Sequence, residues 1–514
     1  MRASEASRIG GCVLLVATSS IAPAAELVPT LTPDVPLARR LGDGRPHAYR
    51  IELRAGESLR AIVEQRGIDL VLALRGPAGD LVLEMDGLSG GRGTEELVWE
   101  AAESGAHQLE VQPRTPGAPP GAYAVTAHVS ARASEEQRAW ISAERLFMDG
   151  RRAQREAGAE DLQRAGDAYE GARAQWRRAH DQAWEATALQ ALGGVCLALG
   201  RVDCARARSE QALALHRAVG NRVGEGATLN NLGNAYRETG DYERAQERYE
   251  QALVISGQAA DRRVKAAALN NLAAVHTELS QYERARARYE QALVIWREIR
   301  SRAGEAATLN NLGNVYQELG QHERARSYYE QTRAMSQKDG HRREEGTALN
   351  NLGNVARELR EYERARRYYD QALRISREVG DRTGEAGALN NLGELSLTLD
   401  DNEQARDFYA QSLAIRRETQ DRGGEEAALA NLGAACRKLG DDVKAREYLV
   451  LALAIAREIK ARRAEAADLY ELALLARQAG DLEGAGAQVA AALAIAETIR
   501  SEVAGHDLRS SFFA

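Results

Sequence analysis

Five pairs of adjacent asparagines, Asn230–Asn231, Asn270–Asn271, Asn310–Asn311, Asn350–Asn351 and Asn390–Asn391, recur at a step of forty residues in this chain of 514. An amide side chain both donates and accepts hydrogen bonds, so a regular row of amides can hold the backbone of an extended peptide without demanding its sequence. The pairs sit in stretches such as "LNNLGNVYQEL", in which Leu309, Leu312 and Tyr316 fall on one face of an α-helix. Asparagine costs a helix interior roughly 0.5 kcal/mol or more relative to alanine, so something other than helix propensity keeps it there.

Other residue patterns with chemical potential point away from catalysis. "GLSGG" at Gly87–Gly91 matches G-x-S-x-G, but a nucleophile elbow needs a strand, a sharp turn and a following helix, whereas Ser89 falls in a glycine-rich loop between short strands. No phosphate loop ending in Gly-Lys-Ser/Thr and no H-E-x-x-H occurs in the sequence. The nine histidines are scattered singly: His276 stands where sister segments have tyrosine, and His322 begins a helix. No catalytic residue, metal site or cofactor is expected, and the chain reads as a non-enzyme. A net charge of -7 argues against a nucleic-acid partner, since Arg and Glu alternate along the same helices instead of forming a basic face. Pairs such as Arg286 with Glu290 read as solvated faces carrying weak ion pairs.

The elements that must position the asparagines follow from a period. Ala165, Ala205, Ala245, Ala285, Ala325, Ala365, Ala405, Ala445 and Ala485 stand forty residues apart without a slip, and Leu189 through Leu469 keep the same step. Charged residues at 28% and aromatics at 5% suit long exposed helices better than one thick core. The pattern predicts about nine helix hairpins over residues 133–500, in which Gly233, Gly313, Gly353 and Gly393 let paired helices approach and Ala245 and its equivalents leave room at the crossing. Gly240, Gly320 and Gly440 are expected as left-handed caps where the first helix of a hairpin stops. Asp149 and Arg152 occupy core positions of the first hairpin, the mark of a degenerate end repeat. These spacings resemble the tetratricopeptide repeat, and the forty-residue form with "LNNLGNVY" is similar to the kinesin-light-chain type over roughly residues 180 to 480. Relative to the usual period of thirty-four, six extra residues are expected to lengthen both the helices and the loop between repeats.

Residues 36–132 have a different texture. Segments such as "HAYRIEL", "DLVLALRG" and "YAVTAHVS" alternate polar and apolar residues between Gly, Pro and Asp, which predicts short antiparallel strands in a β-sandwich. Their order resembles the pre-peptidase C-terminal type of β-sandwich found in secreted bacterial proteins. The expected fold class is therefore mainly α, a right-handed α-solenoid of helix-hairpin repeats preceded by a small β-sandwich.

At the start, Arg2 and Arg8 precede an apolar run from Ile9 to Ala17 and the small residues Ala22 and Ala24, which reads as a secretory signal over residues 1–24 followed by a linker over 25–35. The run is too short to span a bilayer. Cys12 in "IGGC" lacks the preceding apolar stretch that a lipidation signal needs. Beyond it, Cys196, Cys204 and Cys436 form neither a disulfide framework nor a zinc pattern. Cys196 and Cys436 stand where Tyr236 and Tyr316 stand in sister repeats, and a Cys196–Cys204 bridge stays open for an oxidising compartment.

A leader, a sandwich, a forty-residue array and the closing "HDLRSSFFA" together resemble the amino-terminal portion of bacterial CHAT-domain proteins, which carry a caspase-like peptidase after the repeats. That resemblance implies a sensing half whose catalytic domain lies outside residues 1–514, encoded downstream, with 501–514 as a tail. Two functions are therefore carried forward: an exported scaffold for a protein or peptide partner, periplasmic or extracellular after cleavage near Ala24, and the regulatory half of a CHAT-type peptidase. Under either, the expected peptide-binding groove is lined by Asn231, Asn234, Asn271, Asn311, Asn314, Asn351, Asn354, Asn391 and Asn431. Hydrogen bonding within the solenoid is the competing explanation for the same asparagines.

Overall fold

The computed structural model describes residues 28–512 apart from 43–44, 87–91, 115–119, 157 and 260. The expected leader and the loop carrying Ser89 lie outside these residues. The chain divides into two units, one formed by residues up to Leu146 with Ala174–Asp181, the other by Phe147–Arg173 with the chain from Gln182 onward.

In the first unit, β1 (Leu37–Leu41), β2 (His47–Leu53), β3 (Ser58–Arg66), β4 (Leu70–Arg75), β5 (Leu81–Asp86), β6 (Arg92–Glu100), β7 (Gly105–Pro113) and β8 (Gly121–Ser130) form two four-stranded antiparallel sheets. Their orders are β1-β8-β3-β6 and β2-β7-β4-β5, so only the β4–β5 pair joins consecutive strands. Alternation decides which side chains go inward: Tyr49, Ile51 and Leu53 of β2 are buried, while Arg50 and Glu52 between them reach solvent and pair with each other. Tyr49 and Tyr123, from different sheets, share a hydrogen bond in the interior. Burial pushes both phenols above the ordinary tyrosine range.

The helices begin with α1 (Glu135–Glu156) and α2 (Ala159–Arg178), through which the division between the units runs. The second unit continues through α3 (Gln182–Ala198), α4 (Val202–Ala218), α5 (Arg222–Glu238), α6 (Tyr242–Ala259), α7 (Arg262–Glu278), α8 (Tyr282–Glu298), α9 (Arg302–Glu318) and α10 (His322–Asp339). It goes on through α11 (Arg342–Glu358), α12 (Tyr362–Glu378), α13 (Arg382–Thr398), α14 (Asn402–Glu418), α15 (Arg422–Lys438), α16 (Asp442–Glu458), α17 (Arg462–Gln478) and α18 (Leu482–Phe512). Odd-numbered helices are the first of each hairpin and even-numbered ones the second. α9 and α11 are each 17 residues long. Connectors within a hairpin, such as 239–241, and between hairpins, such as 299–301, are both three residues. The long period is therefore taken up by the helices, and the loop between repeats, expected to share the increase, stays as short as the turn inside the hairpin.

Local chemistry explains the regular ends. Asn221, Asp261, Asp381 and Asp421 accept the backbone N–H three residues on and cap α5, α7, α13 and α15. At the turn inside the hairpin Gly240, Gly320 and Gly440 adopt φ of 73°, 67° and 76°, the left-handed conformation that a glycine enters without steric cost. Between the paired helices lies a column of buried tyrosines, Tyr249, Tyr289, Tyr329, Tyr369 and Tyr409. A Cβ on Gly233, Gly313 or Gly353 would come within 2.4, 2.4 and 2.3 Å of the rings of Tyr249, Tyr329 and Tyr369, so what the glycines admit is a tyrosine ring laid flat on the helix backbone. In the first hairpin Asp149 and Arg152 are exposed, and Gly150 receives the ring of Tyr169. Cys196 and Cys204 form a disulfide across the α3–α4 turn, with Cα atoms 5.8 Å apart, and Cys436 is a buried free thiol.

Candidate functional site

Leu309 and Leu312 of α9, with their equivalents in the other first helices, turn into the core, which leaves the intervening asparagines half-buried on the edge that faces along the stack. First helices of successive repeats touch one another, as α5 touches α7 and α11 touches α13. Amides on neighbouring first helices therefore come within reach, and they bond. The Nδ2 of Asn271 donates to Asn230 Oδ1 at 3.2 Å, Asn351 to Asn310 at 2.9 Å, Asn391 to Asn350 at 3.0 Å and Asn431 to Asn390 at 2.9 Å. Before the first pair, Asn231 donates to the backbone carbonyl of Gln190 at 3.4 Å. In these four repeats the second asparagine thus reaches the first asparagine of the repeat before it, an offset of forty-one residues. At the α7–α9 junction the pattern changes: Asn270 Oδ1 accepts from the hydroxyl of Thr308 at 3.1 Å, and Asn311 lies half-buried beside it.

Asn234, Asn314 and Asn354, one turn further along, have a different job. Each accepts a hydrogen bond from the hydroxyl of its own repeat's buried tyrosine, Tyr249 at 2.6 Å, Tyr329 at 2.7 Å and Tyr369 at 2.8 Å. These contacts satisfy the hydroxyls of buried tyrosines, the one on Tyr329 together with Gln317 at 3.2 Å, and hold the rings against the glycines.

Tetratricopeptide-repeat models match residues 192–256, 264–338, 344–418 and 428–461. The chain carries tetratricopeptide repeats. Among solved structures, a Rap protein in complex with Competence and Sporulation Factor is 14% identical over 70% of this chain and 99% of its own, with a TM-score of 0.51. BtubC from P. vanneervenii is 24% identical over 44% of this chain and 91% of its own, with a TM-score of 0.36. A putative kinesin light chain with nearly identical repeats from Podosopora anserina is 23% identical over 39% of this chain and 98% of its own, with a TM-score of 0.32. The likeness to the Rap protein shows the fold. No curated protein sequence matches the chain at a significant level.

On this tetratricopeptide wall the flanking charges are mixed in sign and largely paired across repeats: Arg357 with Glu394, and Arg437 with Glu471 at 3.1 Å. A second row of ion pairs stands where one hairpin hands over to the next. Glu225, Glu385 and Glu425, at the starts of α5, α13 and α15, each sit between two arginines, such as Arg377 and Arg382 around Glu385. Burial pushes these carboxyls up, but the hydrogen bonds and charge of the arginines outweigh it and hold them below the ordinary carboxylate range. Toward the end of the array the amides give way to Ala430 and an exposed Tyr470 at the corresponding position. Among the described residues no group of three or more His, Cys, Asp or Glu side chains is placed to hold a metal ion, and no helix is long and apolar enough to cross a membrane.

The groove expected from the sequence left out residues that the structure brings into the row, the first asparagines of four of the five pairs, Asn230, Asn310, Asn350 and Asn390, as acceptors. Their signal was present in the doubling itself. A lone asparagine per repeat could not form a donor–acceptor chain between helices at that offset.

Proposed function

We propose that the chain is a non-catalytic interaction scaffold that holds an extended segment of a peptide or protein partner along the concave wall of its first helices. The observation that carries this reading is the arithmetic of the amide row. Each amide offers two N–H donors and a carbonyl with two lone pairs, and each inter-repeat bond uses one donor and one acceptor site. The Nδ2 groups of Asn310, Asn350 and Asn390 and the Oδ1 groups of Asn351, Asn391 and Asn431 therefore keep capacity for a ligand backbone, held in fixed orientation by the bonds already made. Structure and recognition are not rivals in this arrangement: the inter-repeat bonds pre-organise the groups that bind, which lowers the entropic cost of association. The Rap protein of like fold was solved with Competence and Sporulation Factor bound, which is in keeping with this use of the wall.

Export is part of the proposal, supported by the leader-like residues before Ala24 and by the Cys196–Cys204 disulfide, a bond that persists in oxidising compartments. The strand-rich unit that precedes the array is the observation favouring the second reading, in which this scaffold senses on behalf of a CHAT-type peptidase domain. Selection of peptides from a displayed library on the purified chain tests the groove. Peptides so obtained should bind Asn350→Ala/Asn390→Ala at least tenfold more weakly while the circular dichroism spectrum is kept. Equal binding by that folded variant would overturn the groove reading.

A further inference from the structure

Where arginine meets glutamate on the strands of the first unit, the two pair: Arg50 with Glu52 at 2.6 Å, Arg60 with Glu96 at 2.6 Å and Arg75 with Glu110 at 2.9 Å. Arg138 and Arg145 of α1 differ. Among the described residues neither has an ion pair, and the Arg145 guanidinium instead lies over the Trp99 indole, 5.4 Å from the ring centroid. Both arginines line a cleft of about 540 Å³ between α1 and the end of β6. That volume falls in the range of small-molecule sites, and every residue around the cleft belongs to the first unit.

Local structure aims this face of α1. Ser134 and Gln137 cap the helix start reciprocally: the Ser134 N–H donates to Gln137 Oε1 at 2.8 Å, and the Gln137 N–H donates to Ser134 Oγ at 3.1 Å. Ala139, Trp140 and Ala143 are buried, which leaves Arg138, Ser142 and Arg145 on the cleft side. Steps of four and three residues put these three on one helical face, so each arginine stands one turn from the Ser142 hydroxyl, on either side of it. An anionic group over that hydroxyl is within reach of both guanidinium forks, whose geometry suits a carboxylate. Glu100, at the end of β6, lines the same cleft from the strand side and also has no ion pair among the described residues. Opposite charges thus share one cleft without closing on each other, and Ile141 and Leu146 give it an apolar floor.

We propose that this cleft binds a small zwitterion with an apolar side chain, a free amino acid or a short peptide with both ends free. Its carboxylate meets Arg138, Arg145 and the Ser142 hydroxyl, its ammonium meets Glu100, and its side chain lies over Ile141 and Leu146. A simple anion would leave Glu100 unanswered and repelling, and a simple cation would face two guanidinium groups. Only a ligand carrying both charges answers both walls. The cleft is separate from the asparagine wall, so either assignment can fail without the other.

The test is isothermal titration calorimetry of the full chain with L-leucine and with L-leucyl-L-leucine. Saturable binding of at least one is expected, and the tighter of the two tells whether the ligand is a free amino acid or a peptide. Arg138→Ala and Glu100→Gln should each weaken the tighter probe at least tenfold, while Arg50→Ala, a control on the exposed side of β2, should leave it unchanged, with circular dichroism showing all three variants folded. The N-acetylated form of that probe, which lacks the ammonium, should bind the wild type at least tenfold more weakly and should lose nothing further in Glu100→Gln. Absence of saturable binding by both probes, or binding that Arg138→Ala or Glu100→Gln leaves unchanged, would overturn the proposal. So would equal affinity for the acetylated form, because the cleft would then take any carboxylate.

Discussion

Replacing asparagines of the amide row by alanine separates two effects that oppose each other at every rung. Asn351, Asn391 and Asn431 each donate one inter-repeat bond of 2.9 to 3.0 Å from a half-buried position. Such a bond contributes about 1 kcal/mol net. Alanine regains roughly 0.5 kcal/mol of helix propensity at each site. The triple variant Asn351→Ala/Asn391→Ala/Asn431→Ala should therefore lose about 1.5 kcal/mol, spread over three consecutive junctions of a solenoid whose stability is a sum of repeat and interface terms. Asn311→Ala is the internal control, because at its junction Asn270 takes the hydroxyl of Thr308 instead. That substitution should gain about 0.5 kcal/mol from propensity alone. Urea unfolding followed by circular dichroism reads both. A triple variant as stable as the wild type, or an Asn311→Ala variant that loses as much per site as the triple, would refute the reasoning.

Three further outcomes are expected. Gly313→Ala should cost about 1–3 kcal/mol, since its Cβ would meet the ring of Tyr329 at 2.4 Å; Gly387→Ala, which meets nothing within 4 Å in α13, should instead stabilise by about 0.5–1 kcal/mol in the same thermal melt. Asp468 lies buried against Glu426 of the preceding first helix, and burial, followed by the charge of Glu426, pushes its carboxyl up to about 8. A folded pKa raised above the unfolded one contributes stability that is fully present below the ordinary carboxylate range and is lost as pH rises from that range to about 8, so Asp468→Asn should flatten the fall in melting temperature across that window. Glu385 has the opposite sign: its lowered pKa contributes stability above the ordinary carboxylate range and loses it as pH falls, so Glu385→Gln should remove part of the acid dependence and leave the alkaline side unchanged in a pH series of melts.

Periodicity made the helical array legible because one spacing, forty residues, governs the alanines, leucines and tyrosines together, and within each period the apolar residues keep helical spacing. The left-handed glycines were legible for the same reason, since only glycine enters that conformation freely. Ser280, Arg360 and Asp400 occupy the same turn at φ of 58°, 60° and 60° and carry no such signal in their type. The strand segments were legible one by one, but the sheet orders were not, because all pairs except β4–β5 join strands distant in sequence and local alternation says nothing about distant partners. At the asparagines, residue type gave donor and acceptor but not direction. Whether Asn314 faces a ligand or the hydroxyl of Tyr329 depends on where the second helix lays its tyrosine, a tertiary fact. The division of the extra six residues was likewise hidden, since a longer helix and a longer loop add the same count to the period.

The central claim, that an extended partner lies along the amide row, is tested most directly by photo-crosslinking from single positions with mass-spectrometric mapping. A photoreactive residue is placed in turn at Ala267, Ala307 and Thr347, one turn before the asparagine pairs of α7, α9 and α11, and at Arg286, Arg326 and Arg366 on the second helices. The account expects crosslinks from the first-helix positions to successive residues of one continuous partner segment, and few from the second helices. Crosslinks confined to the second helices, or first-helix crosslinks scattered over unrelated parts of the partner, would contradict it.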